Sequence, residues 1–80
     1  MPSLREKFGQ GLKAIRLTRE LSQEQFAELL GISVDFLSLI ERGINAPSFE
    51  NLDAFSAQLK IPLTALFDFN DTRSDPQLRD

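Results

Sequence analysis

The run Leu21-Ser22-Gln23-Glu24-Gln25-Phe26-Ala27-Glu28-Leu29-Leu30-Gly31-Ile32-Ser33-Val34-Asp35-Phe36-Leu37-Ser38-Leu39-Ile40-Glu41-Arg42-Gly43 contains two helix starts and two helix stops. Ser22 and Gln25 have the form of a capping box, in which the serine oxygen accepts from the backbone three residues on and the glutamine side chain reaches back. The apolar set Phe26, Ala27, Leu29 and Leu30 follows and ends at Gly31, a residue suited to the left-handed conformation just past a helix C-terminus. Ser33 caps the next helix, and Asp35 in its first turn favours the helix dipole. Arg42 and Gly43 close that helix with a cation and a second C-terminal glycine. Two short helices are therefore expected, joined across Gly31-Ile32-Ser33, a glycine-containing turn of the length that sets two helices at a steep angle.

Working outward, Leu4, Phe8, Leu12 and Ile15 recur at spacings of four, four and three, predicting a first helix from about Ser3 to Arg19 with these residues on its core stripe. Gly9 and Gly11 lie inside it at roughly 1 kcal/mol each relative to Ala, so tertiary packing must hold the segment. Gly9-Gln10-Gly11-Leu12-Lys13-Ala14 also matches a loose dinucleotide-binding pattern, but no strand precedes it and its glycines fall mid-helix. On the C-terminal side, Ile44-Asn45-Ala46-Pro47 forms a loop and Ser48 caps a fourth helix with Leu52, Phe55, Ser56 and Leu59 on its stripe. Pro62 starts a short fifth helix with Leu63, Leu66 and Phe67, expected to end near Asp68. The expected fold is an all-α five-helix bundle over residues 1–69, with residues 70–80 a polar C-terminal tail.

The 80-residue chain has no cysteine and no histidine, which removes disulfides, thiolate nucleophiles, the usual zinc sites and histidine relays. No metal or cofactor site is expected, and no enzyme activity. The i,i+4 carboxylates Glu24 and Glu28 are expected to be a solvated helix face. No apolar run is fit for a signal peptide or a membrane span, so the expected location is the cytoplasm. The net charge of −3 argues against binding polyanions by bulk charge. Divided by region, however, residues 1–20 carry +3, residues 21–43 carry −3, residues 44–67 carry −1 and the remainder −2. The basic set Arg5, Lys7, Lys13, Arg16 and Arg19 all belongs to the first helix and its end.

The ordered series Leu12-x-x-Ile15-Arg16, Leu21-Ser22-Gln23-Glu24-x-Phe26-Ala27-x-x-Leu30-Gly31-Ile32-Ser33, Ile40-Glu41-Arg42-Gly43, Pro47-Ser48 and Leu52 through Leu66-Phe67 resembles the Cro/repressor (XRE-type) helix-turn-helix family. The resemblance spans Phe8 to Phe67. It implies a lambda-repressor-like DNA-binding domain in which the second and third helices form the helix-turn-helix, with double-stranded operator DNA as partner and a homodimer as the usual assembly. Stand-alone repressors, restriction-modification controllers and antitoxin-type regulators share this chain size. Regulation is then expected through concentration, dimerisation, RNA polymerase or a partner protein, with the chain nucleoid-associated when bound to DNA.

With Leu37, Ile40 and Glu41 facing in, Asp35, Ser38, Leu39 and Arg42 fall on the outward side of the third helix, and by position in the motif Val34, Asp35, Ser38 and Leu39 match the base-reading sites, with Phe36 at the edge. Asp35 accepts from cytosine N4, while Val34 and Leu39 pack on a thymine methyl, contacts of modest discriminating power. Phosphate contacts are expected from Gln23, Ser22 and the neighbouring amides, with Arg19, Arg42, Asn45 and Ser48 in support. The family pattern pairs Arg16 with Glu41 as a structural ion pair. It also places the dimer contact around the fifth helix, at Leu63, Phe67 and Phe69, giving a roughly palindromic operator. The competing expectation is a protein-interaction module that keeps the fold with weak or no DNA binding, suggested by the acidic helix-turn-helix and its apolar reading face.

Overall fold

The computed structural model describes residues 2–67. These form five helices in the order α1 (Leu4–Thr18), α2 (Gln23–Leu30), α3 (Val34–Glu41), α4 (Phe49–Leu59) and α5 (Leu63–Leu66), with no strand among the described residues. Phe69 and the polar tail lie outside the described residues. None of the described helices is long and apolar enough to cross a membrane.

Serines begin four of the five helices. Ser3, Ser22, Ser33 and Ser48 each sit in extended backbone and accept from the amide three residues on, at Glu6, Gln25, Phe36 and Asn51. Glu6, Gln25 and Asn51 reach back to the amide of their own serine, so three complete capping boxes set the starts of α1, α2 and α4. The hairpin between α2 and α3 turns at Gly31, whose φ of +78° is left-handed and whose amide closes onto α2. Such a φ is routine for glycine and disfavoured for residues with a Cβ.

The core is built from the inward faces of all five helices: Phe8 and Leu12 of α1, Phe26, Ala27 and Leu30 of α2, Leu37 and Ile40 of α3, Leu52, Phe55 and Leu59 of α4, and Leu66 of α5. Phe26, Leu37, Ile40 and Phe55 are entirely buried. Buried Ala27 lies at the foot of the hairpin, where its carbonyl accepts from the Ile32 amide. Gly9 is buried mid-helix because α3 crosses there. A Cβ on Gly9 would stand 2.9 Å from the Glu41 carbonyl oxygen and closer still to that of Ile40. The propensity penalty of a mid-helix glycine is thus offset by the close seating of α1 on the C-terminal end of α3.

Two sequence expectations, at Leu4 and at the end of the fifth helix, need correction. Leu4 continues the periodic stripe of α1 but is 63% exposed, because the first turn of the helix overhangs the core. The core stripe instead runs Phe8, Leu12 and half-buried Ile15, with Arg16 beside it. Ser56 keeps its expected place on the stripe of α4, half-buried, where its hydroxyl donates to the Ile61 carbonyl at 2.6 Å and helps turn the chain into α5. The fifth helix ends at Leu66 rather than near Asp68, with the Phe67 amide closing on the Thr64 carbonyl.

Candidate nucleic-acid interface

The joint between α1, α2 and α3 is a buried polar network. The Arg16 guanidinium donates from Nε to Glu41 Oε2 at 2.8 Å and from Nη2 to Glu41 Oε1 at 3.1 Å, forming a bidentate ion pair between α1 and α3. Its Nη1 donates to the Leu21 carbonyl at 3.1 Å, which ties in the residue before the α2 cap. Both side chains are buried, and charges in such a position persist only when paired and hydrogen-bonded. The periodicity of α1 and α3 puts both residues at the edge of the core, which is why polar groups there can meet.

Gln23, the first residue of α2, extends this network outward. Its Nε2 donates to Glu41 Oε1 at 3.0 Å. One of the two amide hydrogens is therefore held by α3, and the second remains to donate elsewhere. Ser22 Oγ is occupied by the Gln25 amide, whereas the backbone amides of Gln23 and Glu24 have no acceptor among the described residues. An oriented carboxamide and two unpaired amides at one helix N-terminus make a cradle for an anion. The Gln23–Glu41 contact was not legible in the sequence. A donor at the first position of α2 and a carboxylate at the last position of α3 were the only signals for it.

On α3, Val34 and Asp35 are exposed, while Ser38 and Leu39 are half-buried on the same outward side, opposite Leu37 and Ile40. Arg42 follows at the C-cap and is exposed. The amides of Ile44 and Asn45 both close on the Leu39 carbonyl, at 2.9 and 3.3 Å, so the loop leaves α3 tightly and Asn45 stands exposed just past its end.

Arg19 and Ser48 are placed differently. Arg19 Nη2 donates to the Leu59 carbonyl at 2.8 Å, which fastens the end of α1 to the end of α4. The Ser48 hydroxyl donates to Asn51 Oδ1 at 2.9 Å while accepting from the Asn51 amide, so both its functions are used within the α4 cap. Leu63 and Phe67 are partly exposed at α5, and the Phe67 ring also packs on Phe8 with centroids 5.1 Å apart.

A family model described as helix-turn-helix (HTH_3) matches residues 12–66, a span that holds the Arg16–Glu41–Gln23 network and every helix after α1. The chain belongs to this helix-turn-helix family. The family consists of DNA-binding transcription regulators, not enzymes. Among relatives, the chain is 41% identical over 58 residues to an immunity repressor protein of Bacillus phage phi105, a match covering 72% of this chain and 40% of the repressor. It is 38% identical over 68 residues to the control protein C.MunI of Mycoplasma sp, covering 84% of this chain and 92% of that protein. The chain thus spans two fifths of the phage repressor and nearly all of the control protein. The restriction-modification controller C.AhdI of Aeromonas hydrophila superposes with a TM-score of 0.72 at 34% identity, covering 78% of this chain and 94% of that one. The clp gene regulator ClgR of C. glutamicum superposes at 0.75 with 29% identity, covering 82% and 85%.

In this helix-turn-helix chain the face of α3 is poor in the residues that form bidentate base contacts. Arg, Lys, Asn and Gln are absent from Val34 through Glu41. Of the four acids in residues 21–43, Glu41 is turned inward onto Arg16 and Gln23, whereas Glu24, Glu28 and Asp35 are exposed.

Proposed function

We propose that this chain is a repressor or controller that binds a roughly palindromic operator as a homodimer and acts on transcription from the adjacent promoter. The observation that carries the reading is the cradle at α2. Gln23 is held by Glu41 beside unpaired amides, next to an outward face of α3 bearing Val34, Asp35, Ser38 and Leu39. A phosphate seated at α2 would place α3 against the base edges of the major groove. Asp35 would accept from cytosine N4, Val34 and Leu39 would contact thymine methyl groups, and Ser38 would serve either role. Arg42 and Asn45 would reach the backbone from the α3 end, and Arg19 would do so with the donors not committed to Leu59.

A C2 dimer built through Leu63, Phe67 and Phe69 would set two α3 helices about 34 Å apart, one turn of DNA. The working compartment would be the one that holds DNA, the cytoplasm of a bacterial host.

Selecting bound sequences from random duplex DNA tests the reading. The expected result is enrichment of a two-fold site with half-sites one helical turn apart. An asymmetric single half-site would remove the homodimer from the proposal. The charge of −3 over residues 21–43 favours a second reading, a protein-interaction module with the same fold. That reading predicts no enrichment and no anisotropy change on duplex DNA even at low salt.

A further inference from the structure

An apolar pocket of about 170 Å³ opens between the first turn of α1, the α3–α4 loop and the end of α5. Leu4, Phe8, Pro47, Leu52 and Phe67 line it, and Arg5 is its one charged lining residue. A void of this size suits a phenyl ring, since an apolar cavity of ~150 Å³ in another protein takes up benzene. Two residues beyond Pro47, Phe49 is 87% exposed, the most exposed large apolar side chain among the described residues, and it does not line the pocket. The Ser48 capping box fixes Phe49 as the first residue of α4. Glu50 follows it, exposed. Arg5 is likewise exposed and makes no ion pair among the described residues.

We propose that, in the homodimer on which this inference rests, each copy inserts its Phe49 ring into the pocket of the other, with Glu50 of one copy facing Arg5 of the other. A projecting ring and a hole that Phe49 of the same chain does not line border the same loop, and a two-fold axis brings each hole to a ring. The ring is too exposed to be filling its own pocket, so a second copy supplies the missing fit. Charge complementarity agrees, because the residue beside the ring is acidic and the charge at the pocket is basic. The contact is also continuous with the rest of the proposed interface. Phe67 lines the pocket, and Leu63 is 43% exposed on the same short helix.

Sedimentation equilibrium on the full chain tests this. Phe49→Ala is expected to raise the dimer dissociation constant by roughly 100-fold or more, because two buried anchors are lost per dimer, while far-UV circular dichroism stays unchanged. Arg5→Glu and Glu50→Arg are each expected to weaken the dimer by roughly tenfold at low salt, with the double variant returning to within about threefold of the parent. A Phe49→Ala dimer as tight as the parent would overturn the ring-in-pocket contact and leave the homodimer standing. A double charge variant weaker than both single variants would overturn the Arg5–Glu50 pairing. Phe69→Ala, at a residue of the proposed interface, is expected to loosen the dimer far less than Phe49→Ala. If it loosened the dimer as much as Phe49→Ala, the chain's own C-terminal segment would be the occupant and the proposal would fail. A parent chain that stays monomeric at millimolar concentration and on operator DNA would remove the homodimer itself.

Discussion

Replacing Gly9 by Ala reverses sign according to whether α3 is seated on α1 as closely as the structure places it. On an isolated helix the change stabilises by about 1 kcal/mol. Here the new methyl would lie 2.9 Å from the Glu41 carbonyl oxygen and nearer to that of Ile40, roughly 1 Å inside ordinary contact. Both obstacles are backbone atoms of α3, so no rotamer change relieves the overlap and the helices must separate. Separation loosens Phe8 and Leu12 against Leu37 and Ile40, and stretches the Arg16–Glu41 pair. Overpacking of this kind costs ~1–3 kcal/mol, and more where the backbone is the obstacle. Taking the upper end of that range, ~3 kcal/mol, and subtracting the propensity gain leaves a net loss of about 2 kcal/mol, and Tm should fall by roughly 8–16 °C for a domain of this size. The chain has no Trp and no Tyr, so urea and thermal unfolding are best followed by circular dichroism at the helix band. A Gly9→Ala variant as stable as the parent, or more so, would refute the close seating of α1 on α3.

Glu41→Ala strands the buried Arg16 guanidinium and should destabilise by about 3–5 kcal/mol, whereas the apolar pair Arg16→Met with Glu41→Leu should recover most of that loss in urea titrations. Lys60 is the C-cap of α4 at φ +58°, where a Cβ is disfavoured by ~1–2 kcal/mol, so Lys60→Gly should raise stability by about 0.5–1 kcal/mol after the entropy of glycine is subtracted. Gln23→Met keeps the length of the side chain and removes its donors. Anisotropy titrations should show binding weakened roughly 5- to 20-fold on operator and unrelated duplex alike, as expected for a phosphate contact, with stability lowered by about 1–2 kcal/mol through the lost bond to the Glu41 carboxylate.

Helix boundaries were legible where a local chemical signal exists. Ser22, Ser33 and Ser48 cap through bonds to the third residue on, and Gly31 ends α2 by its own backbone preference, so no distant partner was needed to place them. Leu4 misled because periodicity reports which side of a helix a residue occupies and not whether another helix extends that far. The reason for Gly9 was hidden because the obstacle is the backbone of α3, which carries no sequence signature. Arg19 shows the same limit within the candidate site. Its charge and position fit a phosphate contact, but one of its donors reaches the Leu59 carbonyl, forty residues away in sequence. Arg16 and Glu41 were paired through family resemblance, while the Gln23 bond to the same carboxylate needed the three-dimensional joint to be seen.

That joint also changes how the charge of the chain bears on DNA. The +3 of residues 1–20 overstates what a phosphate can meet, because Arg16 is buried and committed to Glu41 and Leu21, and Arg19 is partly committed to Leu59. Conversely, the −3 of residues 21–43 overstates the repulsion, because Glu41 is neutralised inside the fold. What remains exposed on α2, α3 and the α3 end is Arg42 against Asp35, Glu24 and Glu28, with Lys13 and Arg19 on α1 and its end. Backbone amides and the Gln23 carboxamide are neutral and add hydrogen bonds without adding a cation. Each protomer should therefore neutralise roughly two or three phosphates, so the logarithm of operator affinity should fall with log salt at a slope of about −4 to −5 for a dimer. Fluorescence anisotropy on operator DNA from low to physiological salt measures that slope. A value steeper than about −8 would mean that cations dominate binding, and the account of α2 as a largely neutral phosphate cradle would be wrong.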